Sequence, residues 1–324
     1  VTSESPAEIL LIRPMHNAVM EALARDFRLH RLDTAPDPEA LLAEVGPRIR
    51  GLAVGAQTRV DGALMDRLPR LEIVANFGVG YDTVDARAAA QRGIVVTNTP
   101  DVLTDEVADL AVGLLLATLR RIPQADRYLR AGHWPKAPFP LSPSLRGRRV
   151  GILGLGRIGR AIAQRLEGFG VAIAYHGRRP QGDAPYAYHP TLIGLAEASD
   201  VLIVVAPGGA DTAKLIGAEV LDALGPEGVL VNVARGSLVD EAALAAALAA
   251  GTIQAAGLDV FADEPHVPEA LAVLDNTVLL PHVGSASHHT RAEMARLVVE
   301  NLVSWFAGRG PLTPVAETPW TGRA

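Results

Sequence analysis

The run from Val150 to Arg160, in which apolar residues lead into Gly154-Leu155-Gly156-Arg157-Ile158-Gly159, constrains this chain more than any other segment. A strand, a tight turn and the opening of a helix, in that order, present free backbone N–H groups to a pyrophosphate. Gly154 suits the turn, Gly156 the close approach of backbone to phosphate, and Gly159 the packing of helix on strand. Leu155, Arg157 and Ile158 complete the loop. Such glycine spacings also occur by chance, so the neighbouring sequence has to decide. The next apolar strand, Val171 to Tyr175, ends in His176-Gly177-Arg178-Arg179. About 20 residues past the first glycine, an NAD site places a carboxylate for the ribose hydroxyls. Here His176 leads into two guanidiniums, groups shaped to hold a 2′-phosphate. The ligand expected is NADP(H). The plain alternative is that Arg178 and Arg179 form a solvated turn.

A chain of 324 residues has room for two domains, and 49% apolar with 20% charged residues is ordinary for a packed fold. The net charge of −6 gives no basic surface for nucleic acid or an anionic membrane. With no cysteine there are no disulfides, thiolate metal sites or thiol nucleophiles. The polar opening Val1 to Ser5 has no signal-peptide character, and the apolar run Leu110 to Leu119 is too short to span a bilayer. A cytoplasmic protein is expected.

The chain alternates. Glu8 to Ile12, Phe27 to Leu32, Gly51 to Ala56, Leu71 to Phe77 and Ile94 to Thr97 read as strands, with helices at Ala18 to Arg25, Pro38 to Val45 and Val84 to Arg92 between them. This is a βαβα pattern and predicts an α/β parallel sheet, helices on both faces. A second series follows: Arg149 to Leu153, Val171 to Tyr175, Val201 to Val205, Gly228 to Val233, Ala255 to Leu258 and Thr277 to Leu280. It has the strand count of a dinucleotide fold. Thr104 is a candidate N-cap for an apolar helix with Asp105 and Glu106 in its first turn. A last helix spans His288 to Phe306, and its position suggests a return to the first domain. The Pro-rich stretch Trp134 to Pro143 reads as a loop or arm, with Trp134 a core anchor, an oligomer contact or a lid.

Three polar positions fall where strands of the second series end, the edge at which open α/β sheets bind ligands. They are Asn232-Val233-Ala234-Arg235-Gly236, Asp259 with Glu264 before Pro265, and His282-Val283-Gly284 after Pro281. Reduction of a carbonyl by a nicotinamide needs an anchor, a polariser and a proton donor. Arginine can hold a carboxylate and polarise the adjacent carbonyl, histidine can give the proton, and a carboxylate can keep such a histidine charged and aimed. Arg235, His282 and Glu264 have the right chemistry. On position alone, Arg235 could equally neutralise a strand end or bind a cofactor phosphate. Glu264 could be a turn residue and His282 a core histidine. The remaining histidines show no metal-ligand spacing, and no metal is expected.

Taken together, these motifs resemble the D-isomer-specific 2-hydroxyacid dehydrogenases over essentially the whole chain. The resemblance implies that Arg235, Glu264 and His282 are catalytic. It implies two doubly wound domains, with a Rossmann cofactor domain (100–289) inserted into a flavodoxin-like substrate domain (1–99 and 290–324). Cofactor contacts would come from Thr104, the loop Gly154 to Gly159, His176, Arg178, Arg179, Ala206, Pro207, Val233, Ala234, Asp259 at the carboxamide, His282 and Gly284. Within the family, the motifs are similar to those of NADPH-using glyoxylate, hydroxypyruvate and hydroxyphenylpyruvate reductases. The amides of Val79 and Gly80 would then bind the carboxylate of a small 2-keto acid, together with Arg235 and His282. The same resemblance suggests a homodimer. The rival readings are an NAD-linked member such as a phosphoglycerate dehydrogenase, and a nucleotide-sensing binding protein like the co-repressors that share the fold.

Overall fold

Parallel strands covered on both faces carry near-continuous apolar runs, and the inner strands of both sheets of this chain are built that way. The computed structural model describes residues 6–55 and 57–322, so the polar opening Val1 to Ser5 lies outside the described residues, as does Ala56. The chain divides into two compact units. The first runs to Leu103 and resumes at Ser287; the second is Thr104–Ala286.

In the first unit, β1 (Glu8–Leu11), β2 (Arg28–Arg31), β3 (Gly51–Gly55), β4 (Ile73–Phe77) and β5 (Val95–Thr97) form a parallel sheet ordered β2-β1-β3-β4-β5. All five residues of β4 are buried. The His288–Phe306 helix is capped by Ser287, whose side chain accepts the Thr290 N–H. It packs on the sheet over Gly51, where a methyl group would run into Ile9, Leu302 and Phe306. Trp305 donates its indole N–H to Glu72 at 3.0 Å, and Val315 bonds back to Val96 beyond the helix. The C-terminal segment therefore belongs to the first sheet.

The second unit contains β6 (Arg149–Leu153), β7 (Ala172–His176), β8 (Ala187–Tyr188), β9 (Val201–Val204), β10 (Val229–Asn232), β11 (Ala255–Leu258) and β12 (Thr277–Leu279). They pair in parallel in the order β12-β11-β10-β9-β6-β7-β8. The sequence pattern missed β8. Two residues in a Pro- and Gly-rich stretch carry no alternation to detect, and tertiary pairing with β7 alone makes them a strand. The Thr104–Leu119 helix is buried along most of its length, as its all-round apolar sequence requires. Thr104 is its first helical residue rather than the residue before it. The helix lies against β11 at Gly257, where a side chain would meet Thr118 and Leu114, and Arg165 pairs with its Asp105 and Asp109 at 2.9 and 2.5 Å. Among the described residues no helix is long and apolar enough to cross a membrane.

Candidate active site

Strand order in the second sheet reverses at β6, flanked by β7 on one side and β9 on the other. Ligands of doubly wound folds bind beyond the strand ends at such a switch point. The loop after β6 is shaped for one. Gly154 has φ +99, and a methyl there would come within 2.9 Å of the Ala206 backbone that follows β9. Gly159 has no room for a side chain against the Gly154 carbonyl. A Cβ on Gly156, by contrast, would meet nothing within 4 Å, so the backbone is open on that side. Gly156 is also the N-cap of the Arg157–Glu167 helix, and no side chain caps it. The first-turn N–H groups of a helix have no partner within it, and at this end they face the side on which an anion can bind. These features fit a bound pyrophosphate.

Leu155 is buried, so it can serve a ligand through its backbone only, and its carbonyl accepts from Gln181 at 2.8 Å. His176 turns its Nδ1 to the His189 carbonyl at 2.8 Å and stacks on Tyr188. Arg178 and Arg179 are exposed just past β7 and, among the described residues, make no ion pair. Pro207 is exposed and Ala206 half-buried beside the glycine loop, while Thr212 caps the Pro207 carbonyl at 3.0 Å.

Arg235, Glu264 and His282 follow β10, β11 and β12, three neighbouring strands. Asn232, wholly buried, shapes the first turn. It accepts from the Ala234 N–H at 3.0 Å and donates to the Arg235 carbonyl at 2.9 Å, while Val233 bonds to Val204. Gly236 brings this turn against the Phe261–Ala262 backbone so tightly that a methyl would overlap Phe261 C and Ala262 N. Glu264 accepts the Phe261 N–H at 3.1 Å on one oxygen and meets His282 Nδ1 at 2.7 Å with the other. Burial pushes the Glu264 carboxyl up, but the hydrogen bonds from His282 and Phe261 and the charges of His282 and Arg235 outweigh it. Its pKa ends below the usual value. An ionised Glu264 requires the proton on His282 Nδ1, which leaves Nε2 for chemistry.

His282 has φ +54, a left-handed backbone that non-glycine residues rarely adopt. Asp259, 1% exposed, holds it there. Its carbonyl accepts the His282 N–H at 2.9 Å, and its two carboxylate oxygens accept those of Val283 and Gly284 at 2.8 Å each. Burial raises the Asp259 pKa, and these two bonds offset only part of the rise. Gly284 packs on the same carboxylate and on Val107, on the helix that Thr104 opens.

In the first unit, the loop after β4 is tied from behind through its carbonyls. Asn76 donates to the Gly78 and Gly80 carbonyls at 3.1 Å each, Asn98 donates to that of Val79 at 2.8 Å, and Thr99 exchanges bonds with Gly78. With the carbonyls engaged, the Val79 and Gly80 N–H groups have no recorded acceptor among the described residues. A turn with consecutive free N–H groups suits an anion such as a carboxylate. Nothing in the sequence pointed to Asn76 or Gln181, nor to the bonds that Asn98 and Asn232 make. Each acts by an amide bond to backbone that only the fold brings close. No group of three or more His, Asp or Glu among the described residues is placed to hold a metal ion.

A switch-point phosphate cradle and an Arg–Glu–His set on adjacent strands define a nucleotide-dependent dehydrogenase of the doubly wound class. Residues 112–284 match the model of the D-isomer specific 2-hydroxyacid dehydrogenase NAD binding domain. Over 307 residues the chain is 47% identical to glyoxylate/hydroxypyruvate reductase A of Arabidopsis thaliana, covering 95% of this chain and 98% of the relative. It is 48% identical, with the same coverage, to hydroxyphenylpyruvate reductase of Plectranthus scutellarioides. Among solved structures, the NADPH-dependent glyoxylate/hydroxypyruvate reductase of Sinorhizobium meliloti, crystallised with NADP and malonate, superposes with a TM-score of 0.93 at 57% identity, covering 99% of this chain and all (100%) of that one. The chain belongs to the D-isomer-specific 2-hydroxyacid dehydrogenase family.

Proposed function

We propose that this enzyme reduces small 2-keto acids, such as glyoxylate and hydroxypyruvate, to D-2-hydroxy acids with NADPH. The observation that carries the reading is the Glu264–His282 pair at 2.7 Å beside Arg235, past three adjacent strands. NADPH, when bound, supplies the hydride that reaches the carbonyl carbon. The residues of the chain do the rest. The Val79 and Gly80 amides and Arg235 hold the substrate carboxylate, and Arg235 also polarises the ketone. His282 gives the proton from Nε2 to the carbonyl oxygen, while Glu264, bonded at Nδ1, keeps the ring charged and aimed.

For the cofactor, the amides of Gly156, Arg157 and Ile158 face the pyrophosphate, with Leu155 and Gly159 shaping the turn. Arg178 and Arg179, beside His176, take the 2′-phosphate. Ala206 and Pro207 line the adenosine side. Thr104, Val233, Ala234 and Gly284 lie towards the nicotinamide, whose carboxamide Asp259 receives. The inserted segment 100–289 serves as the cofactor domain and 1–99 with 290–324 as the substrate domain. A homodimer is part of the proposal. Ile122, Leu129, Trp134 and Leu141 are 53%, 54%, 66% and 99% exposed on one stretch of chain, which supports a covered surface there.

Steady-state rates with glyoxylate, hydroxypyruvate, pyruvate and phenylpyruvate, each with NADPH and NADH, test the reading. Turnover of the small keto acids with a lower KM for NADPH is expected. Binding of nucleotide without turnover of any of them would favour a sensing protein, and a preference for NADH would favour an NAD-linked dehydrogenase.

A further inference from the structure

Gln181 ties three pieces of the second unit together. Its Nε2 donates to the Leu155 carbonyl of the glycine loop at 2.8 Å. Its backbone N–H donates to the hydroxyl of Tyr175 at 2.7 Å, and Tyr175 is 1% exposed on β7. Its Oε1 accepts from the Arg160 guanidinium, in the first turns of the helix that opens at the glycine loop. The amide orientation is fixed by its partners, since the oxygen faces a pure donor and the nitrogen a pure acceptor.

The segment between β7 and Gln181 is short, and both its ends are held to the phosphate loop. At one end the Gly154 N–H donates to the His176 carbonyl at 2.9 Å. At the other is the Gln181 bond to Leu155. Arg178 and Arg179 lie between these two anchors, and Pro180, with its fixed φ, separates them from Gln181. Two exposed arginines on a loose turn would lose much freedom on gripping a phosphate; on a pinned turn they lose less.

We propose that Gln181 is a positioning residue for cofactor choice: it holds Arg178 and Arg179 in register with the pyrophosphate loop, and so sets the preference for a 2′-phosphorylated nucleotide without touching it. The inference rests on the NADPH reading above. The partly buried amide bonds carry the effect. The Arg160–Asp183 pair, at 2.7 Å with Asp183 76% exposed, adds little.

The experiment is a set of KM and kcat values for NADPH and NADH at saturating glyoxylate, with four variants. Gln181→Leu keeps the bulk and removes the two side-chain bonds, and should raise KM for NADPH roughly five- to tenfold while kcat and KM for NADH stay within about twofold. Tyr175→Phe, which keeps the buried ring, should show the same selectivity at about two- to threefold. It decides the matter alone if the leucine variant does not fold. Asp183→Asn should leave the NADPH-to-NADH ratio unchanged. Equal changes in both KM values, or none, would overturn the clamp. The variant with Arg178→Ala and Arg179→Ala separates the two failures. If it loses NADPH preference while Gln181→Leu and Tyr175→Phe keep it, only the clamp falls. If it keeps that preference, the 2′-phosphate reading falls and takes the clamp with it.

Discussion

The Nδ1 of His282 and a carboxylate oxygen of Glu264 stand 2.7 Å apart, and the other oxygen of that carboxylate is held by the Phe261 N–H. Burial works to raise the Glu264 pKa. The bonds from His282 and Phe261, with the charges of His282 and Arg235, bring it below the ordinary 4.5. A carboxylate depressed on folding contributes stability above its unfolded pKa and loses it as pH falls through the folded value. Glu264→Gln should therefore melt below the parent near neutral pH, with the gap closing as pH falls below the ordinary 4.5. The variant should also lose reductase activity, because the ring has lost the carboxylate that aims it. Thermal melts and kcat/KM profiles across that range check both. A gap that is constant with pH would mean the pair is not ionised.

His282 itself should matter for the proton and not for the cofactor. Its Nε2 is the free nitrogen once Nδ1 is committed to Glu264. His282→Ala should lower kcat roughly 100- to 10,000-fold, the range for loss of a general acid. The Kd for NADPH, read by quenching of protein fluorescence, should move by less than about threefold. Full activity in the alanine variant would remove His282 as the proton donor.

Arg178 and Arg179 provide the cofactor test. Replacing both by alanine deletes two guanidiniums that, among the described residues, have no ion pair to lose. Stability should change little, and KM for NADPH should rise by about 100-fold or more, given the strength of charge-assisted bonds. KM for NADH should stay within a few-fold. An equal rise for both cofactors would sink the 2′-phosphate assignment.

The sequence disclosed those elements on which several local signals agree. The loop at Gly154 was legible because an apolar strand, three spaced glycines and an amphipathic helix coincide there. Arg235, Glu264 and His282 were legible as strand-end residues, but which nitrogen of His282 meets Glu264 depends on a left-handed backbone that no spacing encodes. The short β8 was hidden because pairing with β7, and not its own pattern, makes it a strand. Asn76 and Gln181 were hidden for a different reason. A lone amide in an apolar strand, as Asn76 is, names no partner, and one in a polar stretch, as Gln181 is, looks like a solvated side chain, until the fold sets the Gly78 and Leu155 carbonyls in front of them.

Gly236 is a position where a single methyl should be costly. The residue is buried directly after Arg235, and a Cβ would overlap backbone atoms of Phe261 and Ala262, which cannot rotate away. Phe261 is the residue whose N–H holds Glu264. Gly236→Ala should thus separate Arg235 from Glu264 and lower stability by about 1–3 kcal/mol, the cost of overpacking a tight site. Activity should fall by more than the folded fraction does. Denaturant melts alongside kcat/KM check this, and wild-type values for both would mean that the turn relaxes without consequence.

Asp259 tests whether the histidine loop must be held to work. Three successive N–H groups, from His282 to Gly284, converge on its carbonyl and its two carboxylate oxygens. Asparagine offers one side-chain oxygen in place of two, and its NH2 would face a backbone donor. Asp259→Asn should leave one buried N–H unpaired, at a cost of about 1–3 kcal/mol. The left-handed conformation of His282 should relax with it, since that strain persists only where the surroundings impose it. The expected result is a kcat about 10- to 100-fold lower, because a misaimed donor slows proton transfer. KM for the keto acid should change far less. A variant that loses stability yet keeps its kcat would show that His282 finds its aim from Glu264 alone.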